Sequence, residues 1–269
     1  MGATDDRIEV RLSPVAAAGR AQGARPTQQD DLICLYDDAD GTQLLVLADG
    51  MGGHGAGELA SRLVLDVAAQ LWAEGGWKEE AGPLFLERLC QRAHQRLRDH
   101  HGADDASPHS TIVCLLIKPA FSYWAHVGDS RLYRYEGRRF LGCTEDHSVT
   151  RQKLQRGELA AGEVDAQQHL LLQGLGGRAV PVVEHGGMPS RDDHRFVLCS
   201  DGVWAHVSSE ELGQFARSDA REAAIVEALN LALKRGGEQA DNASLIFVRP
   251  DPAGARGLAR WLPLLRHRR

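Results

Sequence analysis

The chain has 269 residues, 43% of them hydrophobic, with a formal net charge of −6 and an isoelectric point near 6.1. That length suits one large domain or two small ones, and the apolar share is enough to bury a core. The acidic balance excludes a general nucleic-acid binder, which carries a basic balance or stripe.

In chain order, short runs rich in Val, Ile and Leu predict strands at Ile8–Leu12, Leu32–Tyr36 and Gln43–Ala48. Two amphipathic helices follow. Ala60, Leu63, Val64, Val67, Ala68 and Leu71 share one face, and Leu86, Leu89, Cys90, Ala93 and Leu97 share another. Strands return at Thr111–Ile117, Tyr123–Val127, Leu132–Tyr135, Val180–Glu184 and Arg195–Cys199. Helices are predicted at Ser209–Ala216, with Ser208 or Ser209 as N-cap, and at Ala220–Lys234, stopped by Gly236-Gly237. A last strand is Ser244–Val248. Runs of like elements favour a layered α+β fold over an alternating βαβ one. No linker precedes residue 249, which predicts one domain over 1–249. Residues 250–269 then form a hinge and a basic tail.

The five cysteines, Cys34, Cys90, Cys114, Cys143 and Cys199, form no Cys-x-x-Cys and no Cys/His ligand spacing. They read as reduced thiols of a cytoplasmic protein, with Cys199 in the core. The acidic N-terminus has no apolar h-region, so no signal peptide is expected. Asp6 stands where a myristoylation signal wants Ser or Thr. No apolar run reaches membrane-spanning length.

The chemical signal is positional. QLLVLA runs into Asp49-Gly50, RFVLCS into Asp201-Gly202, and YWAHV into Gly128-Asp129. Asp241 precedes the strand SLIFV and Asp30 precedes LICLY. Carboxylates at strand edges are aimed by a rigid sheet, and adjacent glycines allow close approach. If they converge, they repel unless cations neutralise them. An all-oxygen set without His or Cys suits Mg²⁺ or Mn²⁺ rather than zinc.

These pieces occur in an order that resembles the PPM family of PP2C-type protein serine/threonine phosphatases, especially its bacterial members. The matching motifs are RPTQQD from Arg25 to Asp30, LADGMGGH from Leu47 to His54, Ser110-Thr111, and AHVGDSR from Ala125 to Arg131. TEDHS from Thr144 to Ser148, Leu175-Gly176, LCSDG from Leu198 to Gly202 and Asp241-Asn242 complete the set. The resemblance implies a four-layer αββα sandwich, two antiparallel sheets face to face with helices outside, and a site at one end holding two or three Mn²⁺ or Mg²⁺ ions. Asp49 would bridge two metals. The Gly50 carbonyl would bind one of them, and Asp201 and Asp241 the other. Asp30 would hold metal-bound water, and Asp129 with Asp201 would support a third ion. Arg25 would grip the substrate phosphate through its fork of donors. The cations would lower the pKa of a water that attacks phosphorus in line. The implied substrate is a phosphorylated protein, the implied counterpart a bacterial serine/threonine kinase, and the implied state a monomer.

Two departures stand out. The first motif usually ends Asn-Glu-Asp and here reads Gln28-Gln29-Asp30, so Gln29 cannot lend a carboxylate's charge and metal binding should be weaker. Met51 stands where animal relatives carry a general-acid histidine. His54 and His147 read as structural hydrogen-bonders, His147 orienting a loop. Ser148–Gln173, with Arg151, Lys153 and Arg156, matches the family's variable flap.

Other readings compete. Gly50–Gly55 fits G-x-G-x-x-G, as in a dinucleotide-binding enzyme, but a second helix follows where a parallel strand is needed. A phosphoprotein-binding pseudophosphatase is favoured only by Gln29. The tail WLPLLRHRR could touch an acidic membrane surface, although Pro263 interrupts a segment already short for a helix.

Overall fold

The computed structural model describes residues 8–53, 55–100, 107–159 and 170–251. Its first strands are β1 (Ile8–Leu12), β2 (Ala16–Ala21), β3 (Asp30–Tyr36) and β4 (Gln43–Met51). Helices α1 (Ala56–Glu74) and α2 (Gly82–Arg98) follow. Next come β5 (His109–Ser110), β6 (Ile112–Ile117), β7 (Phe121–Val127), β8 (Arg131–Glu136), β9 (Arg139–Cys143) and α3 (Val149–Gln155). The chain continues through β10 (Glu184–Pro189), β11 (His194–Cys199), α4 (Asp201–Trp204), α5 (Ser209–Phe215), α6 (Arg221–Gly236) and β12 (Ala243–Val248).

The strands form two sheets, ordered β1-β2-β12-β11-β8-β9 and β10-β7-β6-β4-β3, with β5 paired to the end of β4. Every pair is antiparallel. The period of two in a strand explains the layers. In β4, Leu44, Val46 and Ala48 pack under α1 and α2, whereas Leu45 and Leu47 point at the other sheet. In β6, Ile112, Cys114 and Leu116 face the helices, and Val113, Leu115 and Ile117 face inward. Both faces are buried, so these strands read as unbroken apolar runs. On the far side, Val197, Cys199, Leu245 and Phe247 pack against Ala224, Ile225, Ala228 and Leu229 of α6. The result is the αββα sandwich that the resemblance implies.

Helix α5 starts at a capping box. The Ser208 side chain accepts the Glu211 N–H, and Glu211 returns the contact to the Ser208 backbone. The expected strand Val180–Glu184 is a correction. Val180 and Val182 are 69% and 68% exposed, and pairing begins only at Glu184. The strand continues through Gly186 because Trp124 lies flat over it, 2.2 Å from where a Cβ would sit. Strand β2 was not expected, since Ala16–Ala21 has little strand propensity. Gly19 is small because α6 presses close: a Cβ there would meet Ile225 at 2.4 Å, whereas Ala16 and Ala18 face the other sheet. With antiparallel pairs throughout, the Gly50–Gly55 loop has no Rossmann partner strand, which removes the dinucleotide-binding reading.

Candidate active site

Both sheets deliver acid to the same end of the sandwich. Asp49 lies inside β4, beyond the predicted strand end, and Asp129 follows β7. Asp201 follows β11 and Asp241 precedes β12. Asp49, Asp129, Asp201 and Asp241 line one cleft of about 1210 Å³, together with Arg25, Gln29, Gly50 and Met51. No three of these aspartates have ligand oxygens all within 4.8 Å of one another, so the acid is spread around a gap rather than closed on one point.

Local bonds fix the backbone at Asp49 and Asp129. The Thr111 N–H and the Ser110 hydroxyl donate to the Asp49 carbonyl at 2.8 and 3.0 Å, and the Asp49 N–H donates to the Thr111 hydroxyl at 3.1 Å. This gives the Ser110-Thr111 motif its function as a backbone clamp. Gly50 must be glycine, because a Cβ there would stand 1.9 Å from the Gly57 carbonyl oxygen. The Trp204 indole N–H donates to the Asp129 carbonyl at 2.9 Å.

Asp30 is brought beside Asp49 as its cross-strand partner, but it sits behind the cleft wall at 1% exposure. Its Oδ2 accepts the Ser200 hydroxyl at 2.7 Å, and its Oδ1 is buried with no hydrogen bond, near the equally unmatched Ser244 hydroxyl.

The electrostatics are those of an uncompensated anion cluster. Burial, and then the charge of Asp201, push Asp30 up to about 7 despite the Ser200 hydroxyl. The same causes push Asp129 up to about 7. Asp49 keeps some surface open to the cleft yet lies deep in the protein. Burial, then Asp30, Asp201, Asp129 and Asp241, raise it well above the ordinary carboxylate range. An all-oxygen, buried, self-repelling set with an orphaned carboxylate oxygen fits hard divalent cations.

Arg25 stands at the mouth of the cleft, 58% exposed, with its guanidinium 2.5 Å from Asp241 Oδ2. That hydrogen bond is the first cause holding its charge above the ordinary arginine value. The sequence did not reveal what positions it. Asn242 Oδ1 accepts the Gln29 N–H at 2.8 Å, while its Nδ2 donates to the carbonyls of Gln22 and Thr27 at 2.8 and 3.0 Å. One side chain thus staples the Arg25 loop to the residue after Asp241. Its only sequence signal is its place in the Asp-Asn pair.

A second missed network forms the opposite wall. Arg131 grips Asp146 with two bonds of 2.8 and 2.7 Å and stacks 3.6 Å over Trp204. His147 orients the same loop, as expected. Its N–H donates to the Gly128 carbonyl at 3.0 Å, and its Nδ1 accepts the Gly128 N–H at 3.3 Å. Accepting at Nδ1 leaves the proton on Nε2, which faces Glu184 at 3.3 Å. In the flap, Thr150, Arg151 and Leu154 reach the cleft, with Arg151 tied to Glu145 at 2.6 Å. His54, flap residues 160–169 and the tail from 252 lie outside the described residues.

The sequence model of the protein phosphatase 2C family matches residues 19–239, and the chain belongs to that family. The relatives it resembles are bacterial serine/threonine phosphatases. It is similar to protein phosphatase PhpP of Streptococcus pneumoniae, with 28% identity over 236 residues that span 84% of this chain and 93% of that relative. With serine/threonine phosphatase stp of Listeria monocytogenes it shares 27% over 226 residues, 81% of this chain and 88% of that one. The fold matches that of the Stp1 phosphatase of Staphylococcus aureus at TM-score 0.76 and 24% identity, covering 90% of this chain and 99% of the other. The catalytic domain of the phosphatase PstP, a structure that holds two manganese ions, matches at TM-score 0.69 and 25% identity over 90% of this chain and 98% of its own.

Proposed function

We propose that this PP2C-type chain is a divalent-cation-dependent enzyme that hydrolyses phosphoserine and phosphothreonine in proteins. The observation that carries the reading is the convergence of aspartates from both sheets on one cleft, where burial and then mutual repulsion raise Asp49 and Asp129 and bound cations would relieve both.

Asp49, the Gly50 carbonyl, Asp201 and Asp241 would hold two Mn²⁺ or Mg²⁺ ions, and Asp129 with Asp201 a third. Bound there, the ions supply Lewis acidity to a water and to the phosphoryl oxygens. Arg25 turns from Asp241 to the phosphoryl group, which its planar fork matches. Asn242 keeps that loop in register. Asp30 offers its unmatched oxygen to water behind Asp49. Met51 has no proton to give, so another acid protonates the leaving alkoxide.

The same reading sets the enzyme against a serine/threonine kinase and has it act as a monomer, with a catalytic domain ending near residue 249. Free cysteines support a reducing, cytoplasmic setting. No helix among the described residues is long and apolar enough to cross a membrane.

Phosphate release from a phosphothreonine peptide tests the proposal. Turnover is expected with Mn²⁺ and none with excess EDTA. A folded, Mn²⁺-saturated protein that releases nothing would instead be a phosphoprotein-binding pseudophosphatase.

Gln29 provides a second test. Its Nε2 donates to the Gly52 carbonyl at 3.3 Å at the cleft edge. Gln29→Glu adds a negative charge there and should lower the Mn²⁺ concentration for half-maximal activity about fivefold, on the order of 1 kcal/mol. An unchanged or higher value would show that Gln29 does not limit metal binding.

A further inference from the structure

The opposite end of the first sheet holds an unpaired cluster of positive charge. Arg195 in β11, Arg217 after α5, Arg221 at the start of α6 and Arg249 after β12 surround a cavity of about 160 Å³, with Ser218 and Asp219. Arg195 and Asp201 lie at opposite ends of β11, on the order of 20 Å apart, so this cavity is separate from the acidic cleft.

The arginines spend their donors on neutral oxygens. Arg195 donates to the carbonyls of Asp192 and His194 at 2.8 and 2.7 Å. Arg221 donates to the Ser13 carbonyl at 2.8 Å, and Arg217 to that of Gly137 at 3.5 Å. Among the described residues the Arg249 side chain makes no hydrogen bond, and none of the four forms an ion pair. Other arginines of the chain do find carboxylates: Arg20 pairs with Glu9, Arg88 with Glu80, Arg131 with Asp146 and Arg235 with Glu211. In a chain of net charge −6, four guanidinium groups lie together here with only Asp193 and Asp219 to oppose them, and neither is close enough to form an ion pair. Burial, and then the charge of Arg249, hold Arg195 and Arg221 below the ordinary arginine value. The first turn of α6 opens at the same place, and its cap residue, Ala220, provides no side-chain hydrogen bond.

We propose that this cavity is a second binding site for a phosphoryl oxyanion, held by Arg195, Arg217, Arg221 and Arg249. Its volume suits one tetrahedral group. Guanidinium forks match phosphoryl oxygens in geometry as well as charge, and the open N–H groups at the start of α6 add to the same field. The group comes either from free phosphate, the product of the proposed reaction, or from a phosphorylated protein side chain docked away from the cleft.

The full-length protein in EDTA, where turnover does not interfere, is titrated with inorganic phosphate by calorimetry. Binding does not depend on the metal centre, so this test stands apart from the test of phosphatase activity. The wild type is expected to bind. Arg195→Gln/Arg249→Gln should bind at least about tenfold more weakly, while its Mn²⁺-dependent turnover of p-nitrophenyl phosphate stays at the wild-type level. Among the described residues Arg249→Gln alone removes no hydrogen bond or ion pair. It should weaken binding at an unchanged melting temperature, which separates loss of the site from loss of the fold. No phosphate binding by the wild type, or equal binding by both variants, would overturn the proposal. A parallel titration with a phosphothreonine peptide names the source. Tighter binding than phosphate assigns a docked phosphoprotein, and equal or weaker binding assigns the free ion.

Discussion

Replacing Asp49 by asparagine is expected to lower turnover of a phosphothreonine peptide by about 1,000-fold or more, roughly 4 kcal/mol of transition-state stabilisation, and at the same time to raise the melting temperature of the metal-free protein. The opposite signs follow from one cause. Asparagine keeps the shape of the side chain and leaves the backbone bonds from Ser110 and Thr111 in place. It removes a buried negative charge that burial and its acidic neighbours disfavour. A merely structural role for Asp49 would make both quantities fall. The same repulsion sets a pH dependence. Asp30 and Asp129 titrate at about 7 in the fold, against about 3.9 in an unfolded chain. The folded state therefore holds their protons longer. Their contribution to metal-free stability is greatest below about pH 4 and is lost as pH rises to about 7. Cations that bind only the folded chain offset the loss. The gap in melting temperature between Mn²⁺ and EDTA samples should therefore widen from pH 5.5 to pH 8. A gap that stays constant, or an Asp49→Asn protein that melts lower in EDTA, would refute the account.

Legibility in the sequence followed the range of the interactions involved. The helix around Leu63 and Val67 could be read from its own periodicity, and the strands around Leu45 and Val113 from their short unbroken apolar runs. Strand β2 could not, since Gly19 is explained by Ile225, far along the chain, and Ala16 and Ala18 by the facing sheet. Strand β10 was misplaced for the same reason: Val180 and Val182 look like a strand locally, while the pairing uses Gly186, covered by Trp124, and Gly187, beside Phe121. The aspartates of the cleft were visible because each stands at an abrupt change from apolar strand to Asp-Gly or Asp-Asn. What holds them was not. The Asn242 staple, the stacking of Arg131 on Trp204 and the contact of Ser200 with Asp30 join distant residues, and nothing at either partner announces the other. The four arginines of the second cavity are likewise scattered over the last part of the sequence and meet only because the start of β11, the start of α6 and the end of β12 lie together.

The two glycines Gly202 and Gly53 should respond oppositely to alanine. By helix propensity alone, alanine at Gly202 would help α4 by up to about 1 kcal/mol. The packing reverses that sign. A Cβ at Gly202 would stand 2.0 Å from the Asn242 carbonyl oxygen, a backbone atom that cannot swing aside. To admit it, the turn carrying Asp201 must move away from the segment carrying Asp241. Gly202→Ala is therefore expected to destabilise the protein by about 3 kcal/mol, the upper range for overpacking. It should also raise the Mn²⁺ half-saturation about tenfold, because two ligands of the proposed centre part. At Gly53 a Cβ meets nothing within 4 Å, although the residue lies in the same glycine-rich loop as Gly50. Gly53→Ala should stay within about 0.5 kcal/mol of wild type with unchanged metal dependence. Urea denaturation with and without Mn²⁺, together with a Mn²⁺ titration of activity, reads both variants. If Gly202→Ala keeps its metal dependence while losing stability, the Asp201 and Asp241 segments are not held in register by their close backbone contact. If Gly53→Ala loses activity, the loop's glycines serve the reaction through mobility rather than through the space they leave.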